Sequence, residues 1–125
     1  MLTPVHRALG DEPGDLSWCL FERAVSENVI ETEDLDWKTR PYSISADPAK
    51  EELAKDVAAM ANTGGGWIVF GVEEDRQTSA AKTLVPCEWG PRNEQQYRQI
   101  AYGYIFPPVV GIEFHSVPSP DGTGH

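Results

Sequence analysis

Glu31, Asp36 and Lys38, with one of Glu73, Glu74 and Asp75, are of types and spacings that could handle a phosphate through a divalent cation. Asp36-x-Lys38 sets a carboxylate and an ammonium on one face of any extended strand, because side chains alternate there with a period of two. Glu31 lies five residues before Asp36. Strict alternation puts it on the opposite face, so it joins Asp36 only from a loop or bulge before the strand. Glu73-Glu74-Asp75 follows a second apolar run, and spacing alone leaves open which of the three completes a site. Three carboxylates and a lysine suit Mg²⁺ or Mn²⁺, which take hard oxygen ligands, activate water and shield phosphate, with Lys38 near the developing charge. A solvated acidic strand with a surface salt bridge would show the same short pattern.

The elements that must position these residues can be read from period and punctuation. Residues 1–14 contain Pro4, Gly10, Pro13 and Gly14 without periodicity and are expected to form a flexible arm. Residues 15–125 are expected to form one domain. Asp15 is the expected cap of a helix over about 16–27 whose apolar face carries Leu16, Leu20, Phe21, Ala24 and Val25, with Asn28 as its stop. Trp18 and Phe21 are read as core. Leu35 and Trp37 alternate with Asp36 and Lys38, the pattern of a short strand with its apolar side inward, ended by Pro41.

Residues 41–47 read as a linker. Asp47-Pro48 then opens a helix with acids in its first turn and a stripe of Leu53, Val57, Met60 and Ala61. Asn62-Thr-Gly-Gly-Gly66 ends it. Trp67-Ile-Val-Phe-Gly-Val72 is apolar throughout, as a central strand covered on both faces would be. Residues 73–91 read as a polar insertion, with a short strand near Leu84-Val85. Asn93 is the expected cap of a helix over about 94–105, and the alternation across 109–117 predicts a last strand. The turn chemistry of 119–125 suggests a chain that stops early, as an excised domain does.

Composition bounds the function. The 125 residues carry 20 acids against 10 bases, a net charge of −10. A domain that holds nucleic acid through its overall field is usually basic, so any such contact here must come from a local patch or from bridging metal ions. Mean hydropathy is negative, no apolar run approaches the roughly 18–20 residues that span a bilayer, and no signal peptide is visible. A cytoplasmic home without membrane contact is expected, with Cys19 and Cys87 as inert, isolated thiols. Gly64-Gly65-Gly66 follows a helix and precedes a strand, the reverse of a phosphate loop, and no Gly-Lys-Ser/Thr follows. His6, His115 and His125 show no metal-binding spacing.

Three blocks together resemble the Schlafen AlbA-like domain: Glu31-Thr-Glu-Asp-Leu-Asp-Trp-Lys38, Val57-Ala-Ala-Met-Ala-Asn-Thr-Gly-Gly-Gly-Trp-Ile-Val-Phe-Gly-Val-Glu-Glu-Asp75 and Ile105-Phe-Pro-Pro-Val109. The similarity covers about residues 29–117, and Ala-Asn-Thr-Gly-Gly is its most specific part. It implies an α/β (α+β) fold, a mixed β-sheet flanked by helices, and a DNA- or RNA-binding role. Vertebrate Schlafens are similar in cutting structured RNA with three carboxylates and a divalent metal. Carried over, those acids fall on Glu31, Asp36 and Asp75, or less readily Glu73, with Lys38 as the lysine and Mg²⁺ or Mn²⁺ as the cofactor. Asp36 stands where a Glu is usual, one methylene shorter. Catalytic Schlafens also pair two modules to make a basic groove, for which a homodimer would be the substitute. The resemblance thus predicts a nucleic-acid-binding module with a candidate metal-dependent nuclease or endoribonuclease site. The competing readings are a non-catalytic regulatory or protein-interaction module of a larger protein and, third, nucleotide binding.

Overall fold

The computed structural model describes residues 1–43, 47–105, 107, 109, 111–121 and 124. In chain order its elements are α1 (Pro4–Leu9), α2 (Trp18–Ser26), β1 (Leu35–Lys38), α3 (Asp47–Asn62), β2 (Trp67–Phe70), β3 (Val72–Glu74), β4 (Ala81–Leu84) and α4 (Pro91–Gly103). The pattern is a mixed α/β fold, as the resemblance implies. β1 and β2 pair in parallel with Asp36 opposite Ile68 and Lys38 opposite Phe70, and α3 supplies the crossover that a parallel pair requires. β3 and β4 form an antiparallel hairpin with an irregular register at Glu73/Glu74.

Several elements follow from the local sequence. The alternation of β1 holds: Leu35 and Trp37 are each only 1% exposed, while Asp36 and Lys38 are half-buried on the other face. In α3 the apolar stripe buries Leu53 and Ala54, with Val57 packed against them, although Ala61 is exposed. Gly64 and Gly65 take φ of 91° and 99°, and the Gly65 N–H donates to the Met60 carbonyl at 2.8 Å, closing the helix end.

Other expectations are corrected. Residues 1–14 are not a structureless arm. Thr3 caps α1 by accepting from the His6 N–H, His6 answers by accepting from the Thr3 N–H, and Val5 and His6 are each 2% exposed. Six residues are too few to display a helical period, but the Thr-Pro start obeys capping physics. Ser17 rather than Asp15 caps α2; Asn28 does end it, at φ 53°. The apolar run 67–72 is not one central strand. It breaks at Gly71, φ 90°, where the chain leaves β2 for the hairpin. The expected polar insertion is the β3–β4 hairpin itself. Gly90 caps α4, with Asn93 at the third position accepting from the Gly90 N–H. Among the described residues of 109–117 there is no strand; Phe114 packs on Trp89 and His115 on Trp67 instead. Cys19 is exposed and Cys87 half-buried, and burial pushes the Cys87 thiol up. The linker residues 44–46 and His125 lie outside the described residues. Among those described, no helix is long and apolar enough to cross a membrane.

Two cores result. One joins α1, α2, β1 and the hairpin around Leu20, Ala24, Leu35, Trp37, Val72 and Ala81. The other joins α3 and α4 around Leu53, Tyr97 and Ile100, with Tyr42, Phe70 and Trp89 packed on it. Tyr42 and Phe70 meet edge to face at 5.7 Å. On the polar face of β1, Lys38 pairs with Asp56 of α3.

Candidate functional site

Glu31 reaches that polar face because the chain doubles back just before β1. Its N–H donates to the Ser79 carbonyl at 3.0 Å, tying it to the hairpin turn. Thr32 and Leu35 then exchange backbone hydrogen bonds at 3.0 and 3.2 Å, making a tight reversal. The turn is fastened twice more. Arg7 of α1 pairs with the Asp34 carboxylate, and the Asp34 carbonyl accepts from the Trp67 N–H at 2.8 Å. The reversal supplies the loop geometry that strict alternation denied, and Glu31 Oε1 accepts from the Trp37 N–H at 3.0 Å.

Two further carboxyl groups, Glu74 and Asp36, act on Glu31 there. Burial, then the hydrogen bond with Glu74 and the neighbouring Asp36 charge, push Glu31 up to about 8, against the opposing pull of the Trp37 N–H. Successive side chains of β3 face opposite ways, so Glu73 turns to Lys82 at 3.8 Å while Glu74 turns to Glu31.

Asp75 is placed elsewhere. Its Oδ1 accepts from the Gln77 and Thr78 N–H groups at 2.8 and 3.2 Å, and these bonds hold its carboxyl below the ordinary value. It shapes the hairpin turn, and the structure brings Glu74, not Asp75, to Glu31. Glu74 was one of three acids that spacing could not separate.

Lys38 sits beside the cluster, its Nζ 3.6 Å from Asp36 Oδ2 and 3.6 Å from Asp56 Oδ2. Burial works against its ammonium, but Asp36, Asp56 and Glu52 together outweigh it and hold the group above its ordinary value. Asp56 also accepts a hydrogen bond from the Tyr42 hydroxyl, and burial followed by that contact pushes Tyr42 up. Neither Asp56 nor Tyr42 stood out in the sequence. The only local sign is that Asp56 flanks Val57 of the apolar stripe, and only the ion pair with Lys38 gives that a meaning.

In donor type, Glu31, Asp36 and Glu74 suit a hard divalent cation. In spacing, no group of three or more His, Cys, Asp or Glu among the described residues is set to hold a metal ion as it stands. As it stands, Asp36 pairs with Lys38 and Glu31 accepts from the Trp37 N–H.

No curated protein and no solved structure matches the chain. The family model described as Schlafen, AlbA_2 matches residues 31–122. That span starts at Glu31 and takes in β1, α3, the glycine turn, the hairpin and α4. By this match over most of its length the chain belongs to the Schlafen AlbA_2 family, a family of nucleic-acid-related domains.

Proposed function

We propose that the chain binds nucleic acid and that Glu31, Asp36 and Glu74, with Lys38 beside them, form a divalent-cation-dependent site for cleaving phosphodiesters. The observation that carries this reading is that Glu31, Asp36 and Lys38 meet at β1: the Trp37 N–H holds Glu31 Oε1 at 3.0 Å and Lys38 Nζ lies 3.6 Å from Asp36 Oδ2. Glu74 takes the place that the resemblance gave to Asp75. Mg²⁺ or Mn²⁺, when bound, would activate water and offset phosphate charge. The chain's own groups do the rest. Glu31 gives up its proton to water, Asp36 and Glu74 offer oxygen, and Lys38 meets a phosphate oxygen with its N–H donors. At a net charge of −10 the overall field repels a polyanion, so the affinity must be local and must depend on the cation.

The test uses the full chain with structured RNA and with single-stranded DNA, with Mn²⁺ or with chelator. Cleavage is expected only with Mn²⁺ and is expected to fall at least about 100-fold in Asp36→Asn and Lys38→Ala, the scale of losing a group that stabilises developing charge. A parent protein that neither binds nor cuts in Mn²⁺, or an Asp36→Asn protein as active as the parent, overturns the reading.

A further inference from the structure

Lys38 is shared evenly between two acids, and the two are not equivalent. Asp36 belongs to the carboxyl cluster and acts directly on Glu31. Asp56 comes from α3, is not among the groups acting on Glu31, and has a support of its own. We propose that Asp56, backed by Tyr42, is the positioning residue that keeps the Lys38 ammonium aimed over the site, independently of Asp36. The proposal rests on the reading of Lys38 as the group that meets phosphate.

The argument is geometric. Both Lys38–carboxylate distances, 3.6 Å, exceed the range of a direct N–H···O bond. The ammonium is therefore held mainly by charge. A second restraint comes from Tyr42, whose ring centroid lies 5.9 Å from Nζ. Tyr42 is itself locked. It packs edge to face on Phe70 and Tyr97 at 5.7 and 6.1 Å, and its carbonyl accepts from the Tyr97 hydroxyl at 2.9 Å.

The line of support runs from the α3–α4 core through Tyr42 to Asp56 and so to Lys38. Glu52 lies one helical turn before Asp56 and faces the same ammonium. Asp36 has Glu31 beside it rather than a hydroxyl locked into the α3–α4 core. If it is drawn toward a cation, its hold on Lys38 weakens, and Asp56 remains. A lysine stem has four rotatable bonds, so an ammonium released by both acids would sample many positions rather than one.

The test separates this claim from the nuclease reading by observing the lysine itself. The Lys38 ammonium is followed by ¹⁵N NMR in the metal-free parent, Asp36→Asn, Asp56→Asn and Tyr42→Phe. Asp56→Asn keeps size and an acceptor for Tyr42 but removes the charge. Proton exchange at Lys38 is expected to rise about tenfold in Asp56→Asn and less in Asp36→Asn, with Tyr42→Phe between them. Asp56→Glu is expected to restore the slow exchange. In the cleavage assay Asp56→Asn is expected to lower kcat about tenfold or more with KM within about twofold, as misplacing a group that acts in the transition state does.

If the ammonium stays ordered in Asp56→Asn and is released in Asp36→Asn, Asp36 does the positioning and the proposal is overturned, whatever the nuclease assay shows. If the NMR result is as expected but the parent cuts nothing, the positioning claim stands and the nuclease reading falls.

Discussion

Trp37 and Glu31 are joined through the backbone of one and the side chain of the other, with the Trp37 N–H donating to Glu31 Oε1 at 3.0 Å. The Trp37 indole points the opposite way, into the core, and donates to the Val29 carbonyl at 3.0 Å. One residue thus anchors β1 on its apolar side and draws an acid onto its polar side. Trp37→Phe keeps the apolar character but loses the indole bond and part of the volume, leaving a buried carbonyl without its donor. A loss of about 1–3 kcal/mol is expected from these two effects, read as a lower urea midpoint at unchanged slope.

Glu31 makes stability depend on pH. In the folded chain it keeps its proton up to about 8, and in the unfolded chain only to about its ordinary 4.5. Between those values the folded state binds more protons than the unfolded state. The contribution is therefore complete below the unfolded value and is lost as pH rises toward the folded one. The metal-free parent is expected to melt at progressively lower temperature, relative to Glu31→Gln, between about pH 5 and about pH 8. Parallel melting profiles for the two proteins would show that Glu31 titrates normally.

Glu74 and Asp75 are adjacent and do different work, so their variants should separate. Glu74→Leu removes the hydrogen-bonding neighbour that helps raise Glu31, and the Glu31 carboxyl, followed by ¹³C NMR, is expected to titrate at lower pH. Asp75→Ala removes the acceptor for Gln77 and Thr78. It is expected to cost roughly 0.5–1.5 kcal/mol in hairpin stability while leaving the Glu31 titration in place. A Glu31 curve that moves in Asp75→Ala and not in Glu74→Leu would return the third carboxyl to Asp75.

Gly66 keeps the acid-bearing turn close to the α3–β2 connection. A Cβ there would collide with the Met60 sulfur and stand 3.0 Å from the Asp34 Cα and 3.1 Å from its carbonyl oxygen. The methionine can move, but the Asp34 backbone is fixed by its bond to the Trp67 N–H at 2.8 Å. Gly66→Ala is expected to cost about 1–3 kcal/mol, the range for forcing atoms into a packed site. Adding Met60→Ala should recover little of it, because the backbone clash remains. Thermal melts of the single and double variants provide the measurement.

The residues alone determined the parts of this protein that depend on local spacing. Asp47-Pro48 with Leu53 and Val57 gave a helix, Leu35 and Trp37 gave an inward strand face, and the glycines after Asn62 gave a turn. The same alternation put Asp36 and Lys38 together on the outer face. Tertiary structure decided the rest. A period states which side chains share a face but not which neighbour that face meets, so the alternation of 109–117 shows no strand among its described residues and the run 67–72 was divided between two sheets. For the same reason the third carboxyl could not be chosen from Glu73, Glu74 and Asp75. Hairpin pairing turned one to Lys82, one to Glu31 and one into a turn. The short α1 was hidden because six residues cannot establish a helical period. Asp56 was hidden because its partner, Lys38, meets it only through an ion pair between α3 and β1, a contact that no spacing along the chain encodes.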